Sequence, residues 1–406
     1  MVEVRPFKAI RPTEKLAAQV AALPYDVVDS KTARQLAQDN PYSYFHIDKA
    51  EIDLPLEQSA YDEAVYQKAA SNLADFLSRG WLKKELTEQY YLYQLTMDGR
   101  TQTGLVCCNS IDDYVSGKIK KHEYTRHEKE IDRMKHICTC DANTSPIFLS
   151  YRRQEKIQSL IQNWQKQHRP IYDFTSYYQV EHKVWQINDP EMINDLQQAF
   201  AAVPSLYIAD GHHRTESAVK VGLEKRAENK NSPESDYFLS ILFPAEELKI
   251  WEYNRIVNVP LPADFFRQLT LNYDLSETTT KKPQQPGQVN MYLQGSWYQL
   301  TAKKIPADPV EKLDVSVLQK QVLETIFAIK DIRSDQRIDF VGGIYGPEKL
   351  EELVDQGEGT VAFSMYPTQM DDLLQVADAG QIMPPKSTWF EPKLLSGLFL
   401  HDLETK

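Results

Sequence analysis

Two strand-like runs flank an Asp-Gly pair, and this pattern limits most strongly the folds open to the chain. The runs are YYLYQLTM (90–97) and TQTGLVCCNS (101–110), with Asp98-Gly99 between them. Asp-Gly is favoured in the tight primed turns of β-hairpins, because both central residues need a positive φ. The pattern therefore predicts a hairpin over residues 90–110 and a fold that contains a β-sheet.

Helical and strand-like segments follow one another along the rest of the chain, which predicts an α+β (mixed α/β) fold. Helices are predicted at 57–79, 154–167, 190–202, 347–355 and 370–380, and strands at 146–151, 174–180, 184–187, 237–243, 251–259 and 360–367. The segment 337–346 is predicted as a strand followed by a turn. A Pro- and charge-rich stretch, 306–315, is typical of a linker. We therefore expect a main α/β region over 1–305 and a C-terminal α/β region over 306–406, whose tail is free to pack back on the main region.

Composition excludes several classes of protein. The 406 residues carry a net charge of −12, which argues against binding to nucleic acid, because phosphate contacts need a basic face. No run approaches the ~20 apolar residues of a membrane helix, and the N-terminus has no apolar signal core. Four Cys in a chain of this size favour a reducing compartment. We expect a cytoplasmic protein with no nucleic-acid or membrane partner, and a homodimer stays open.

A polar cluster lies where a predicted strand gives way to a helix, in YIADGHHRTESA (207–218). Such a junction attracts phosphate through its backbone N–H groups and the helix dipole, and Gly211 permits close approach of a ligand. Arg214 is suited to a bidentate grip on phosphate, His212 and His213 to hydrogen bonding or proton transfer, and Asp210 to orienting a hydroxyl or Mg²⁺. Thr215 joins the predicted phosphate contacts. The alternative is that Asp210 caps the helix and both His are surface residues.

A second polar cluster, KKHEYTRHEKEIDRM, covers residues 120–134. Glu123, beside His122 and the pair Lys120-Lys121, is a candidate general base. Lys120, Lys121 and Arg126 are candidate secondary phosphate contacts. The alternative is a solvated helix with Glu–Lys and Asp–Arg pairs, which best fits 127–135.

Other polar groups support weaker hypotheses. His136, Cys138 and Cys140 do not have the usual spacing of a zinc knuckle, so no zinc is expected. PYDVV (24–28) is more typical of a structural turn. Four acidic and His side chains among the first 55 residues are given no role: Asp26, His46, Asp48 and Asp53. Lys386 and Lys393 lie in PPKSTWFEPK. We expect this segment to pack Trp389 on the core as a C-terminal clamp, in preference to a role in which its Lys contact phosphate.

Several motifs occur together in one known family. The segments PYDVV, NPYSYFHIDKAEIDLP, KKHEYTRHEKEIDRM, DANTSPIFLSY, YIADGHHRTESA and MPPKSTWFEPKLLSGLFLH resemble the domain-of-unknown-function family numbered 1015, in the family's order from about residue 5 to 403. The DGHHR stretch is also similar to the phosphate-binding corner of the ParB/sulfiredoxin superfamily. Free-serine kinases in that superfamily pair a DGH-x-R corner with an upstream catalytic Glu, and Glu123 is the matching candidate here.

The resemblance implies a ParB/sulfiredoxin-like nucleotide-binding lobe and phosphoryl transfer to a small hydroxyl substrate, with serine the leading candidate. ATP, ADP or pyrophosphate is the expected donor, with Mg²⁺. Glu123, Asp210 and His212 are the predicted catalytic residues. His212 stands where sulfiredoxin needs Cys, which disfavours sulfinic-acid reduction. Two alternatives stay open: a nucleotide- or phosphate-sensing regulatory protein without turnover, and a structural protein whose polar clusters are solvated faces.

Overall fold

The computed structural model describes residues 1–405, which form two compact units. Unit 1 contains Met1–Lys120, Thr125–Leu248 and the residues from Pro392 onward. Unit 2 contains Lys121–Tyr124 and Lys249–Glu391. Unit 1 is therefore discontinuous in sequence, and most of unit 2 is inserted between two of its segments.

Helices and strands are distributed over both units, which confirms the α+β class. The α-helices are α1 Ala17–Val20, α2 Ser30–Ala37, α3 Phe45–Asp48, α4 Glu63–Ser78, α5 Ile111–Val115, α6 His127–Cys140, α7 Glu155–Gln167, α8 Pro190–Ala201, α9 His212–Ala227, α10 Phe265–Asn272, α11 Asp314–Leu318, α12 Glu348–Asp355 and α13 Met370–Asp378. The strands are β1 Val4–Arg5, β2 Ile10–Pro12, β3 Leu82–Lys84, β4 Tyr90–Met97, β5 Arg100–Ser110, β6 Ile119–Lys120, β7 Ala142–Asn143, β8 Ile147–Tyr151, β9 Tyr172–Thr175, β10 Glu181–Ile187, β11 Leu206–Asp210, β12 Tyr237–Pro244, β13 Ile250–Trp251, β14 Tyr253–Val257, β15 Tyr273–Thr278, β16 Gln288–Leu293, β17 Ser296–Ala302, β18 Ile338–Gly342, β19 Val361–Met365, β20 Trp389–Phe390 and β21 His401–Asp402.

The hairpin predicted around Asp98-Gly99 is confirmed and forms the middle of the unit 1 sheet. β4 and β5 are antiparallel, with Met97 opposite Arg100, and Asp98 and Gly99 both have positive φ. The sheet has the order β6-β11-β8-β12-β5-β4-β10-β9, and β1 also pairs with β5. The pairs β6–β11 and β8–β12 are parallel, whereas the other pairs are antiparallel.

The core of unit 1 packs against this sheet. Leu206 and Ile208 of β11 are fully buried and belong to the same apolar cluster as Ala218 and Val219 of α9. Alternate residues of a strand point to the same face, so Leu206 and Ile208 both point into this core. The packing holds the end of β11 and the start of α9 in a fixed relation.

The charged segment 127–135 is helical, as one of the two sequence interpretations expected, but it is not a solvated helix. Glu130, Asp132, Arg133 and His136 of α6 are all buried. α6 packs along α9, where the Ser217 hydroxyl donates to the Glu130 carbonyl at 3.1 Å and Lys220 Nζ donates to the Glu130 carboxylate at 2.6 Å. These four polar residues therefore face the interior of unit 1, whereas Glu128 and Lys135 of the same helix are exposed.

Unit 2 is built on a six-stranded antiparallel sheet of order β15-β17-β16-β19-β14-β18. α12 packs on one face through Leu350, against Ile256, Tyr292 and Ala362. The predicted boundary between residues 305 and 306 differs from this division, because a cut there would separate β16 and β17 from β19, with which β16 pairs. The segment predicted as a linker, 306–315, lies within unit 2 and includes the start of α11.

The C-terminal segment is divided between the two units. β20 pairs with β13 in unit 2, and β21 pairs with β7 in unit 1 through His401 and Asn143. Among the described residues, every helix is too short or too polar to span a membrane.

A half-buried ion pair fastens the first 55 residues of unit 1 to α4. His46 Nδ1 lies 2.7 Å from Asp53 Oδ1, and Asn72 of α4 donates to Asp53 Oδ2 at 2.8 Å. The hydrogen bond with Asp53 raises the pKa of His46, against the effect of burial. Burial acts to raise the pKa of Asp53, but the hydrogen bond and charge of His46 outweigh it and the pKa is lowered.

We expect this pair to stabilise the fold most between about pH 4 and pH 6.5, the unfolded pKa values of Asp and His. The raised pKa of His46 gives stability that is lost as the pH rises through the folded value. The lowered pKa of Asp53 gives stability that is lost as the pH falls through its folded value. Asp53→Asn should cost about 1 kcal/mol of unfolding free energy near pH 5.5 and less near pH 9.

Urea unfolding of both proteins at the two pH values measures this difference. Asp39→Asn, at an exposed Asp that forms no ion pair with any described residue, is the matched control and should show no such pH dependence. An equal loss for Asp53→Asn at both pH values would contradict the assignment.

Candidate functional site

The strand–glycine–helix junction predicted at 206–218 is confirmed. β11 ends at Asp210, Gly211 is the N-cap with a φ of 93°, and α9 begins at His212. The N-cap position is therefore occupied by Gly211, which has no side chain, and Asp210 lies one residue before it. Thr215 is fully buried, and its hydroxyl donates to the Gly211 carbonyl at 3.0 Å. The first turn of α9 is therefore held by its own backbone and by Thr215.

Arg214 turns back over Gly211 from the first turn of α9. Its Nη1 donates to the Pro146 carbonyl at 2.5 Å, and its Nη2 lies 3.4 Å from Asp210 Oδ2. The side chain is buried, and its Nε has no hydrogen-bond partner. Burial acts to lower the pKa of Arg214, but Asp26 and Asp210 outweigh it and the pKa is raised. The guanidinium is thus a buried cation whose Nε–H has no hydrogen-bond acceptor.

A second buried guanidinium, Arg133 of α6, lies at the same site. Its Nε donates to Asp132 Oδ2 at 2.9 Å, its Nη1 is 3.7 Å from Asp48 Oδ1, and its guanidinium stacks 4.0 Å from the centre of the Tyr25 ring. Burial acts to lower the pKa of Arg133, but the electrostatic interactions with Tyr25, Asp132 and Asp48 outweigh it and the pKa is raised. Cation–π stacking and two carboxylates hold this group in one orientation.

Both guanidiniums line one cavity of unit 1. Its other walls come from the loops after α1 and β7, from α3, and from α6 and α9. The lining residues are Tyr25, Asp48, Arg133, His136, Ile137, Asn143, Thr144, Ser145, Ile147, Arg214 and Ala218. Five separate stretches of the sequence therefore meet at this cavity.

Asp48 supplies an anionic group to the cavity, and His136 supplies a neutral one. Asp48 is buried; its Oδ2 accepts from the Ser145 hydroxyl at 2.9 Å, whereas its Oδ1 has no hydrogen bond. His136 Nε2 donates to the Ile47 carbonyl at 3.0 Å, and burial together with the Arg133 cation lowers the pKa of this imidazole. His136 is therefore neutral, and Asp48 Oδ1 is an acceptor that a bound donor can satisfy.

The predicted His and Arg residues around the junction have distinct positions. His213 Nε2 accepts the backbone N–H of Arg126 at 2.9 Å, and burial lowers the pKa of His213, so the ring is neutral. The Arg126 side chain is exposed, so Arg126 meets His213 through its backbone. His212, the first residue of α9, is buried. Asp210 also lies 4.0 Å from Lys393 Nζ, which brings one tail lysine to the junction.

Three predicted residues lie on the segment before α6. Lys120 ends β6, opposite Tyr207 of β11, and its Nζ is 5.8 Å from the centre of the Tyr207 ring. Lys121 and Glu123 belong to the 121–124 segment of unit 2. The roles predicted for these three residues stay predictions.

Much of the cavity is formed by residues to which sequence patterns assign no functional role, or which they place on a solvated helix. Asp48 and Tyr25 come from NPYSYFHIDKAEIDLP and PYDVV, and Arg133 comes from the segment read as a solvated helix. The available signal was their presence in motifs shared with the family resemblance. Burial, which separates Arg133 from the exposed charges beside it on α6, could not be read from the local charge pattern.

The arrangement is suited to holding an anion. Two guanidiniums in a low-dielectric site form charge-assisted hydrogen bonds that are shorter and stronger than neutral ones. The start of α9 adds the positive end of a helix dipole. Asp48 Oδ1 offers an acceptor for a hydroxyl or ammonium group on the same ligand.

The chain matches a protein-family model over most of its length. The model described as "Protein of unknown function (DUF1015)" matches residues 4–316. The chain belongs to the DUF1015 family. This confirms the family that the sequence motifs indicated, and the matched range contains every residue of the cavity. No curated protein matches this DUF1015 protein.

Three solved structures that the chain resembles are distant from it. A free serine kinase in complex with AMP is 12% identical, with a TM-score of 0.37 over 70% of this chain and 86% of that one. A conserved hypothetical protein from Pyrococcus furiosus gives 12% and 0.37 over 72% and 94%. SbnI with a C-terminal truncation, from Staphylococcus aureus, gives 12% and 0.39 over 72% and 85%. At TM-scores this low, the likeness carries no argument about the activity of the DUF1015 protein.

Gly211 supports a prediction about the junction. A Cβ at this position would lie 3.0 Å from Arg214 Nε, in addition to the strain of the positive φ. Gly211→Ala should therefore displace the guanidinium and cost about 1 kcal/mol more than backbone strain alone, which is itself ~1–2 kcal/mol. The free energy of unfolding in urea measures both costs.

Gly99→Ala is the matched control, because Gly99 also has a positive φ but a Cβ there meets nothing within 4 Å. Equal losses of stability in the two variants would show that Arg214 does not need the space above Gly211.

Proposed function

We propose that the protein binds the phosphate groups of a small molecule at the Arg133–Arg214 cavity of unit 1 and transfers a phosphoryl group to a small hydroxyl substrate, with serine the leading candidate. The observation that carries the proposal is the convergence of two buried guanidiniums, Arg133 and Arg214, on one cavity. Phosphoryl transfer depends mainly on positioning and on stabilising negative charge, and a pair of fixed guanidiniums supplies both.

The unsatisfied atoms of the cavity indicate what a ligand would bring. Arg214 Nε is a buried donor and Asp48 Oδ1 a buried acceptor, each without a hydrogen bond. Leaving such groups unpaired costs free energy, and more so when they are charged. A ligand that presents a phosphate oxygen to Arg214 and a hydroxyl or ammonium group to Asp48 would satisfy both atoms.

The roles within the proposal follow from these contacts. Arg214 and Arg133 bind phosphate oxygens, and the first turn of α9, from Gly211 to His213, adds its dipole. Asp210 orients Arg214, since its carboxylate faces that guanidinium and Lys393. These contacts support an orienting role for Asp210 more than direct binding of Mg²⁺.

The remaining roles rest on the sequence resemblance. Glu123 accepts the hydroxyl proton, His212 assists as charge develops, and Lys120 and Lys121 are secondary phosphate contacts. ATP, ADP or pyrophosphate is the donor in this scheme. Mg²⁺, when bound with the donor, neutralises part of the polyphosphate charge.

Phosphorus NMR with serine, Mg²⁺ and each donor in turn tests the proposal. We expect a new phosphomonoester signal with one donor, lost in Glu123→Gln while the donor still binds. Arg214→Lys and Arg133→Lys keep the charge but lose the planar fork. Each should weaken donor binding roughly 30-fold, which corresponds to ~2 kcal/mol for a lost charge-assisted hydrogen bond.

Arg153→Lys is the matched control, because Arg153 is exposed and its guanidinium donates to the carboxylate of Glu155, outside the cavity. Thermal unfolding of every variant shows whether it is folded. Donor binding without product would favour a phosphate-sensing protein on the same site. Donor binding that is unchanged in both Arg→Lys variants would contradict the site itself.

A further inference from the structure

A serine and a histidine form a close pair in the β9–β10 hairpin of unit 1. Ser176 follows the last residue of β9, and His182 lies on β10 opposite Phe174. Ser176 Oγ is 2.7 Å from His182 Nε2. This is the separation at which an imidazole can take the proton of a serine hydroxyl.

The imidazole of His182 is held on three sides. Its Nδ1 lies 2.7 Å from the hydroxyl of Tyr93, on the adjacent strand β4. Tyr93 and Phe174 stack on the ring, with centroid separations of 5.8 Å and 5.2 Å and interplanar angles of 29° and 22°. His182 is buried, whereas Ser176 is half-buried at the hairpin end. A fixed, buried base thus meets a serine that solvent can reach.

The loop beside Ser176 stores backbone strain. Tyr178 and Gln179 are consecutive residues with φ of 57° and 58°, in a region that side chains other than Gly and Asn rarely adopt. Such conformations cost ~1–3 kcal/mol each and cluster at functional sites. A hairpin that needed only to connect β9 and β10 would place Gly or Asn at these positions.

We infer that Ser176 is a nucleophile activated by His182, with Tyr93 as the residue that positions the imidazole, and that this site reacts with activated acyl esters. The Oγ–acyl bond forms and the bond from the acyl carbon to the leaving group breaks. The Oγ proton passes to Nε2 and from there to the leaving group. Water then hydrolyses the acyl-serine, which restores the hydroxyl and releases the acid.

The environment of His182 narrows the substrate class. Burial lowers the pKa of His182 to about 3, so the ring is neutral and a weak base. A weak base gives limited assistance to attack, and its conjugate acid is a strong proton donor to the departing group. Esters with good leaving groups, such as aryl esters and thioesters, fit this chemistry, and amides do not.

The tautomer of His182 is part of the inference. For Nε2 to accept from Ser176, Nδ1 must carry the proton and donate to the Tyr93 hydroxyl oxygen. In the opposite tautomer, Nε2 would donate to Ser176 and the pair would only fasten the hairpin. ¹⁵N chemical shifts of the imidazole distinguish the two tautomers.

The first experiment treats the full chain with a fluorophosphonate probe and locates the adduct by peptide mass spectrometry. Attack by Oγ forms an O–P bond and releases fluoride, with the proton passing through Nε2 to water. We expect one adduct, on Ser176, that is absent in Ser176→Ala and forms about 100-fold more slowly in His182→Asn. Ser205→Ala, at another half-buried loop serine, should label like the parent protein.

Tyr93→Phe tests the positioning role. It should slow labelling of Ser176 and shift the ¹⁵N tautomer signal of His182, whereas a merely structural tyrosine would leave the tautomer unchanged. The rate of p-nitrophenyl acetate hydrolysis should fall in the same variants in which labelling of Ser176 is slowed or lost. Circular dichroism shows whether each variant is folded. If His182→Asn does not fold, Ser176→Cys replaces it in the test, because the Cys variant keeps a nucleophile at position 176 beside an intact His182. Three results would each overturn the inference. They are no adduct on Ser176, labelling of Ser176 in folded His182→Asn as fast as in the parent protein, and a His182 tautomer with the proton on Nε2.

Discussion

The balance of charge around two buried guanidiniums is the constraint on which the site of unit 1 depends. An isolated buried ion costs several kcal/mol, so Arg133 and Arg214 can be buried only beside acidic partners. Those partners, Asp48, Asp132 and Asp210, come from α3, α6 and β11, which are distant in sequence. Each carboxylate therefore ties one segment of the chain to the same cavity, and the fold of the first 55 residues becomes part of the site's electrostatics.

Local patterns were sufficient to predict many elements of the fold. The Asp98-Gly99 hairpin, the strand–glycine–helix junction at Gly211 and the helices at 190–202 and 370–380 each carry a turn, cap or periodic signal of their own. The strands β15, β16 and β17 were not predicted. The turn between β16 and β17 lies at Gln294-Gly295, and this pair is a weaker turn signal than Asn-Gly. The unit boundary could not be predicted, because it depends on which strands pair across long separations in sequence.

The candidate site was predictable only in the part that is local. The DGHHR stretch identified Gly211 and Arg214, since a glycine at a strand–helix junction has a direct physical meaning. Arg133 and Asp48 were not identified, because neither residue type nor spacing shows that a charge is buried. Their burial follows from the packing of α6 on α9 and of α3 beside the cavity, which no local pattern records.

The insertion of unit 2 within unit 1 has a consequence for biosynthesis. Residues from Pro392 onward leave the ribosome after the whole of unit 2, yet they supply β21, the partner of β7, and Lys393, which faces Asp210. Domains fold largely in the order of translation, so an early unit 1 would wait with the edge of β7 unpaired. Closure of unit 1 thus follows the synthesis of unit 2, and β7 gains its partner strand only then.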